Sequence, residues 1–402
     1  MSKKILLISQ NFYPEIGSAG NRIKNIYLLL KDRGYDVDVL TTDPTYPNRK
    51  LYEDERFWDH EGINTDREHI KRIQVKNKKY SQNIINRLFY YLEITIRMIL
   101  FVLTHKRQYD IVFVTSPPIF VALVGLLAKY KYRARLILDI RDLWPESLKG
   151  VGVFDYPIII KAFKKIESLL YIRADNITVN SKGFIDYIEN YPKVEKGSIT
   201  FIPNGIKENE IRVDDINTKP FKVIYAGNIG LAQDNEVLMD LAKELSKRNI
   251  SLTIMAYGIK REEFVQFAKE ENLTNVHFLK PCNREECFSI IKEHHVGIVT
   301  LNESEVFETV LPGKVIDYMA CGLPIVASVS GFSKEIIEKQ NVGYVSKSRN
   351  ANDILRSIIE LYKKPKLAQK MSLNGTKYVR SQFSWERNIQ LLVDIIEEVP
   401  QK

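Results

Sequence analysis

Cysteine is nearly absent from this 402-residue chain, at positions 282, 287 and 321 alone. An odd count without paired metal-ligand spacing excludes a disulfide framework and a cysteine zinc site, and leaves reduced thiols as the simplest reading. The six histidines are scattered and form no HExxH or similar cluster, so no metal is expected. Long apolar runs are missing too. Ile5-Leu6-Leu7-Ile8 is too short for a signal-peptide core, and no small-residue cleavage site follows it. The best candidate for a membrane span, residues 88–103, is interrupted by Glu93, Thr95 and Arg97, with Glu93 and Arg97 at helical pairing distance. Low-complexity segments and internal repeats are also lacking.

What remains is an ordinary globular composition, 45% hydrophobic and 27% charged, in a chain long enough for two cores. The net charge of +9 suits anionic partners such as nucleotide phosphates or a phospholipid surface. Nucleic acid is not expected, because the basic residues are dispersed and no helix-turn-helix, RNP or zinc motif is present.

Apolar runs at residues 5–9, 37–41, 111–115, 135–140, 177–180 and 199–202 predict strands. Most are continuous, as in sheets covered on both faces. Helical stretches at 21–33, 155–173 and 182–190 lie between them, so residues 1–205 read as a doubly wound α/β domain. Residues 206–220 are polar and acid-rich and read as a linker. A second α/β domain is expected over residues 221–382, with strands at 251–256, 276–279 and 296–300 and helices at 351–363 and 367–382. Ser384 fits the N-cap of a last amphipathic helix ending near residue 399. Residues 81–107 predict a long helix whose apolar face exceeds what a core needs, with basic residues at its flanks. Together with the basic segment 158–165 it suits a membrane interface.

The chemistry concentrates in residues 309–327. Val315, Ile316, Met319 and Ala320 give a short apolar helical face, Pro312 precedes its first turn and Gly322 follows its last. Gly313 and Lys314 then lie at a helix N-terminus, where free N–H groups attract an anion. Asp317, one turn on, can accept from sugar hydroxyls. An ordinary loop–helix–strand with a surface lysine is the plainer alternative. Upstream, a strand from residue 222 feeds Gly227-Asn228-Ile229-Gly230, a turn whose glycines permit close backbone approach by a diphosphate. Gln233 follows that turn. The next strand ends at Tyr257-Gly258-Ile259-Lys260. In the first half, Glu15-Ile16-Gly17-Ser18-Ala19-Gly20-Asn21-Arg22 is a Gly-rich turn opening a helix, although its spacing is not GxGxxG. The loop Arg141-Asp142-Leu143-Trp144-Pro145-Glu146-Ser147 follows a strand at the end where open α/β sheets hold ligands, or else carries an internal Arg141–Asp142 ion pair.

The segment Pro312-Gly313-Lys314-Val315-Ile316-Asp317-Tyr318-Met319-Ala320-Cys321-Gly322-Leu323-Pro324 resembles the donor-binding motif of retaining family 4 glycosyltransferases. Within them it is similar to a bacterial surface-polysaccharide branch, and Arg141–Ser147 resembles the same branch, including transferases of N-acetylated 6-deoxy, L-fucosamine-type sugars. The wider family has a Glu, seven residues and a second Glu; here those positions are Thr309 and Asp317, with Glu308 adjacent. The Arg and Lys that often follow the first glycine turn are replaced by Asn228 and Gln233. The resemblance implies a GT-B fold, two Rossmann-like domains facing across a cleft, with residues 383–402 packing back on the first.

It also implies transfer of a sugar, with retention, from a nucleotide-diphosphate donor, UDP-linked, to a lipid-linked glycan of an O-antigen, capsule or exopolysaccharide, at the inner face of a bacterial cytoplasmic membrane. Asp142, Lys314 and Asp317 are the implied catalytic set. Gly17, Gly20, Gly227, Asn228, Gly230, Gln233, Gly258, Lys260, Thr309, Pro312 and Gly313 are the implied donor set, and Glu15, Arg22, Arg141 and Trp144 the acceptor set. The nucleotide sugar is a co-substrate and no cofactor is expected. A nucleotide-sugar epimerase of the same architecture, or a non-catalytic nucleotide-sugar-binding scaffold, stays open as an alternative.

Overall fold

A computed structural model describes residues 2–75, 84–152, 156–213 and 220–398. The chain divides into two units, Met1–Pro203 with Glu386–Lys402, and Asn204–Trp385.

Unit 1 carries β1 (Lys4–Ile8), β2 (Asp36–Thr42), β3 (Ile70–Ile73), β4 (Ile111–Ser116), β5 (Arg135–Ile140), β6 (Asn176–Val179) and β7 (Ile199–Phe201). They form one sheet in the order β3-β2-β1-β4-β5-β6-β7. Every pairing is parallel. Helices cover both faces, so the central strands are largely continuous apolar runs, and all six residues of β4 are buried. Each large aliphatic side chain so buried stabilises by about 1.5–3 kcal/mol. The chain order reverses between β1 and β4, the switch point where doubly wound sheets bind ligands at their carboxyl ends.

Charge is also buried here. Arg22 Nε and Nη2 donate to the two Asp139 oxygens at 3.0 and 2.7 Å, Nη1 donates to Pro203 O at 3.1 Å, and Thr178 Oγ1 donates to Asp139 at 2.7 Å. Both charged side chains are fully buried. The cluster ties helix Ser18–Asp32 to β5 and β6. Helix Trp385–Glu397 is held to this unit by Asn388 Nδ2 on Pro203 O at 2.9 Å, and by Lys3 and Tyr35 on Glu397 at 2.8 and 2.6 Å.

Helix Ile84–Thr104 is apolar on both sides. Tyr90, Ile94, Met98 and Val102 are buried, on the side that meets helix Ile119–Tyr132. Phe89, Leu92, Ile96, Leu100 and Leu103 form an exposed stripe on another, with Ile96 57% exposed. The expected start of this helix at residues 81–83 lies outside the described residues.

Unit 2 carries β8 (Lys222–Asn228), β9 (Ser251–Tyr257), β10 (Val276–Leu279), β11 (Val296–Thr300), β12 (Ile325–Ser328) and β13 (Gly343–Val345). Their order is β10-β9-β8-β11-β12-β13, again all parallel, with the switch between β8 and β11. Tyr225, Leu238, Leu241, Ile254, Ile298, Val326 and Ile358 belong to its core. Residues 206–213, expected as part of a linker, are built into this unit instead. Ile206 and Ile211 are buried, and Arg212 donates to the Lys292 and Cys321 carbonyls at 2.6 and 3.3 Å. Residues 214–219 of the expected linker lie outside the described residues. The entering and leaving segments pair with each other, Ile206 N on Phe383 O at 2.7 Å and Trp385 N on Ile206 O at 3.1 Å.

Candidate active site

In unit 2 the geometry starts from a glycine inside a strand. A Cβ at Gly297, in β11, would lie 2.4 Å from the Tyr318 ring. The space lets Tyr318 bury completely and accept a hydrogen bond from Ala226 N of β8 at 2.7 Å. Tyr318 therefore pins helix Gly313–Ala320 across the β8–β11 switch point, with its N-terminus at the carboxyl ends of the strands. Its first N–H groups have no side-chain cap.

Lys314 lies in the first turn. Its Nζ stands 3.7 Å from the centre of the Tyr225 ring, is shut from solvent and has no hydrogen-bond partner among the described residues. Burial alone pushes this ammonium down from the ordinary lysine range to about 7. The ring face supplies some attraction, but a buried ammonium without hydrogen bonds is a costly arrangement. Gly227 faces it: a Cβ there would lie 3.5 Å from Lys314 Cε, and its φ of +124° favours glycine. The sequence-predicted pairing of the first glycine turn with Lys314 is therefore present in space.

The rest of the turn is more constrained than expected. Gly258, with φ +115°, has no room for a side chain, since a Cβ would lie 2.2 Å from Asn228 Oδ1. Gly230 N, expected to face a phosphate, donates to Gln233 Oε1 at 2.9 Å, so these two expected contacts satisfy each other. The Leu231 and Ala232 N–H groups, just ahead of helix Asn235–Ser246, make no hydrogen bond among the described residues. Lys260 is also spent: it pairs with Glu263 at 2.6 Å on the surface.

Asp317 is half-buried one turn after Lys314. Burial pushes its carboxyl up, and Arg284 opposes that shift. Arg284 Nη2 meets Asp317 Oδ1 at 3.3 Å, while its Nε meets Glu210 at 2.5 Å and its guanidinium lies over Phe288. The second Asp317 oxygen accepts from no described residue. Arg284 and Glu210 were not foreseen, because 74 residues separate them and no spacing signals the contact. Thr309 turns its hydroxyl back on Val306 O at 2.6 Å, Pro312 is the N-cap residue, and Glu308 is exposed.

In unit 1 several expected ligand contacts are structural. Arg22 is fully buried on Asp139, because a charge there has no solvent and must be paired. Glu15 is 5% exposed, and both its oxygens are in use. It accepts from Thr45 N at 2.6 Å, Tyr46 N at 3.0 Å and Asn11 Nδ2 at 2.6 Å, closing the loop after β2 onto the loop after β1. Gly20 is needed for packing, since a Cβ would lie 2.4 Å from Glu15 O. Trp144 packs edge-on to Tyr91 with ring centres 6.0 Å apart. Gly17, at φ +102°, is exposed ahead of helix Ser18–Asp32. Asp142 is half-buried at the carboxyl end of β5, and burial pushes its carboxyl up. Arg141 donates Nη2 to Pro117 O at 2.9 Å and keeps a buried Nε without a partner.

A possible metal-binding trio, Asp36, Asp38 and His69, lies near the opposite end of the sheet. Arg107 donates to both carboxylates, Tyr109 donates to Asp38 at 2.5 Å and His69 meets Asp38 at 2.9 Å. Those contacts account for it as an ion-pair network.

Comparison with known proteins adds to this geometry. Residues 17–205 match the glycosyl transferase 4-like domain, and residues 206–378 match glycosyl transferases group 1. An uncharacterized glycosyltransferase of Methanocaldococcus jannaschii, MJ1069, is 22% identical over 99% of this chain and 100% of its own. The putative colanic acid biosynthesis glycosyl transferase WcaI of Escherichia coli K12 is 22% identical over 82% of this chain and 84% of its own. Among solved structures, HepE of Anabaena in complex with UDP and glucose superposes with a TM-score of 0.71. It covers 99% of this chain and 100% of its own at 15% identity, a likeness in fold. The two Rossmann-like α/β domains with all-parallel sheets are the GT-B fold of glycosyltransferases, which the sucrose-phosphate synthase of Thermosynechococcus elongatus shares at a TM-score of 0.70.

Proposed function

Because the chain belongs to the group 1 glycosyl transferases with a glycosyl transferase 4-like N-terminal domain, we propose that it moves a sugar, with retention, from a UDP-linked donor to a lipid-linked glycan. The observation that carries this reading is the buried, unpartnered Lys314 Nζ beside Gly227 at the switch point of unit 2. A diphosphate supplies the acceptor oxygens this ammonium lacks, and charge-assisted hydrogen bonds of that kind are the strong ones. The Gly313 helix N-terminus and the Leu231 and Ala232 N–H groups add donors of the same sign.

Charge builds on the leaving diphosphate as the glycosidic bond breaks, so groups already aimed at it favour the transition state over the ground state. The sugar becomes oxocarbenium-like. The leaving phosphate takes the acceptor proton, and no covalent nucleophile is invoked. The unengaged Asp317 oxygen accepts from a donor hydroxyl, while Arg284 holds the other. Asp142 and Arg141 serve the acceptor from unit 1. The Escherichia coli relative is named as a putative colanic acid biosynthesis transferase, which supports a surface glycan as the product, and the resemblance at Arg141–Ser147 supports an N-acetylated 6-deoxy sugar as the transferred group.

The exposed Phe89–Leu103 stripe and the helix Pro157–Arg173, with Ile158 85% exposed beside exposed lysines, suit the surface of an anionic membrane. No described helix is long and apolar enough to cross one.

The test is calorimetry with UDP and a panel of UDP-sugars, followed by mass spectrometry of transfer to membrane-extracted acceptor. Binding that is lost in Lys314→Ala, with acceptor-dependent turnover, is the expected result. Turnover of donor without acceptor would instead indicate an epimerase. If no nucleotide sugar binds and Lys314→Ala changes nothing, the proposal fails.

A further inference from the structure

Three loops meet at the carboxyl ends of β1, β2 and β3 in unit 1. Arg49 opens the short helix Arg49–Glu53 after β2, and Arg72 lies near the end of β3. Both are half-buried. Arg49 Nη2 donates to Val75 O at 2.9 Å, only three residues beyond Arg72, and Arg72 Nη2 donates to Tyr13 O at 2.6 Å. The Arg72 guanidinium also lies over the Phe12 and Trp58 rings, 5.6 and 5.4 Å from their centres. Neither arginine forms an ion pair among the described residues. Arg49 Nε and Arg72 Nη1 are buried without a hydrogen-bond partner among the described residues.

That arrangement differs from that of the fully buried Arg22 and is shared by Arg141, which also keeps a buried Nε without a partner among the described residues. Arg22 uses its donors on a carboxylate and a carbonyl. The carboxylates whose charge reaches Arg72 are Asp43 and Glu15, and both Glu15 oxygens are already engaged on the Thr45–Tyr46 loop and Asn11. Two planar guanidinium groups, fixed by backbone carbonyls and aromatic faces with donors left over, match a tetrahedral anion with several acceptor oxygens. Arginine pairs with phosphate through two parallel N–H bonds, which a lysine cannot reproduce.

We infer that Arg49 and Arg72 bind a phosphate or diphosphate ester, the anionic group of the molecule that receives the sugar. Two sources share that chemistry: the diphosphate joining a glycan to its lipid carrier, and the headgroup of a membrane phospholipid. The inference rests on the proposed glycosyltransferase reading, and it places the acceptor's anion at the carboxyl ends of the unit 1 strands.

The full chain is first saturated with UDP, so that Lys314 is occupied, and then titrated by calorimetry with inorganic diphosphate and, separately, with farnesyl diphosphate. A third arm measures sedimentation with phosphatidylglycerol vesicles. Binding of farnesyl diphosphate that falls at least tenfold in Arg49→Gln and in Arg72→Gln, and weakens with salt, supports the carrier diphosphate. Vesicle binding that falls in the same variants, with no diphosphate binding, supports the headgroup. Unchanged UDP affinity and melting temperature show each variant is folded. Should Arg72→Gln not fold, Arg49→Gln, which keeps the aromatic stack of Arg72, decides alone. If neither diphosphate nor vesicles respond to these substitutions, the inference is wrong. Should UDP itself not bind, the donor reading fails separately, and the same titrations in Lys314→Met still decide this one.

Discussion

The two units carry the same feature in the same topological place, a glycine-bearing turn after the strand at the switch point. In unit 1 it is filled from within. Glu15 satisfies three backbone or side-chain donors from neighbouring loops, Gly20 packs on the Glu15 carbonyl, and Arg22 saturates Asp139. In unit 2 the corresponding turn faces a lysine whose ammonium meets the Tyr225 ring but has no hydrogen-bond partner among the described residues. A glycine turn therefore marks close backbone approach, by protein or by ligand, and the unmet polar group beside it distinguishes the two. Charge follows the same division. Unit 1 holds 34 Lys and Arg against 27 Asp and Glu, and unit 2 holds 25 against 23. The larger excess lies on the unit proposed to meet the acceptor and the membrane.

The strongest way to break this contrast is to unpair the satisfied charge. Arg22→Ala leaves Asp139 buried with Thr178 as its remaining donor. Removing one partner of a buried pair costs about 3–5 kcal/mol. Urea unfolding should show that loss, with unit 1 melting first. An unchanged midpoint would mean the pair is hydrated and the contrast between the units is false.

Lys314→Met should move stability the other way. It removes a buried ammonium that lacks hydrogen bonds, so the melting temperature should hold or rise, while UDP affinity falls roughly 10- to 100-fold for the loss of a charge-assisted hydrogen bond. The pH dependence has a definite sign. The folded pKa is depressed to about 7 by burial, so the unfolded chain binds more protons between about pH 7 and the ordinary lysine range. The cost of burying the charge is fully present below about pH 7 and is relieved as pH rises. Diphosphate needs the charged form, so wild-type UDP affinity should fall by up to about tenfold per pH unit above 7. A flat profile identical to that of Lys314→Met would remove this lysine from the site.

Glu167 sharpens the comparison from within unit 1. It is 2% exposed, with Tyr171 and Tyr187 donating at 2.7 and 3.1 Å and Tyr191 donating as well. Burial outweighs these donors and pushes its carboxyl up to about 7. A raised carboxyl means the folded state holds the extra proton, so stability falls as pH rises from about 4.5 to about 7, by roughly 3 kcal/mol. Glu167→Gln should flatten that part of the stability profile, measured by urea midpoints across the range. An unaltered slope would show that the three tyrosines compensate the charge.

Much of this contrast was legible in one dimension, and the limits have physical causes. The strands of both central sheets announce themselves as continuous apolar runs, since both faces are covered. The edge strands β7 and β10 were legible as well, but the edge strands β3 and β13 were not. β3 reads Ile-Lys-Arg-Ile with both basic residues half-exposed, and β13 is three residues long, so neither carries the pattern. Lys314, Gly227 and Asp317 could be named because glycine, lysine and helix spacing are local signals. Their partners could not. Arg22 and Asp139 are 117 residues apart, and Glu210 and Arg284 are 74 apart. Folding decides whether a charged residue in a promising loop meets solvent, a ligand or another charge. That is why Arg22, Glu15 and Trp144 resembled ligand contacts and are packing instead.

The smallest expected effect separates position from availability. Lys260 follows Gly258 and sits at the end of β9, close in sequence to where a diphosphate-binding lysine is expected. Its ammonium instead pairs with Glu263 at 2.6 Å, on side chains 36% and 54% exposed. An exposed pair of this kind contributes about 0–1 kcal/mol and is screened by salt. Lys260→Ala should therefore shift stability by less than about 0.5 kcal/mol. UDP affinity should stay within about twofold at moderate salt, because the charge removed is already neutralised by its neighbour. Calorimetry on this variant beside Lys314→Met gives two lysines near one turn with opposite predicted outcomes. A comparable loss of UDP affinity in both would mean that Lys260 leaves Glu263 when a diphosphate arrives. The buried, unsatisfied ammonium would then no longer be what distinguishes the site.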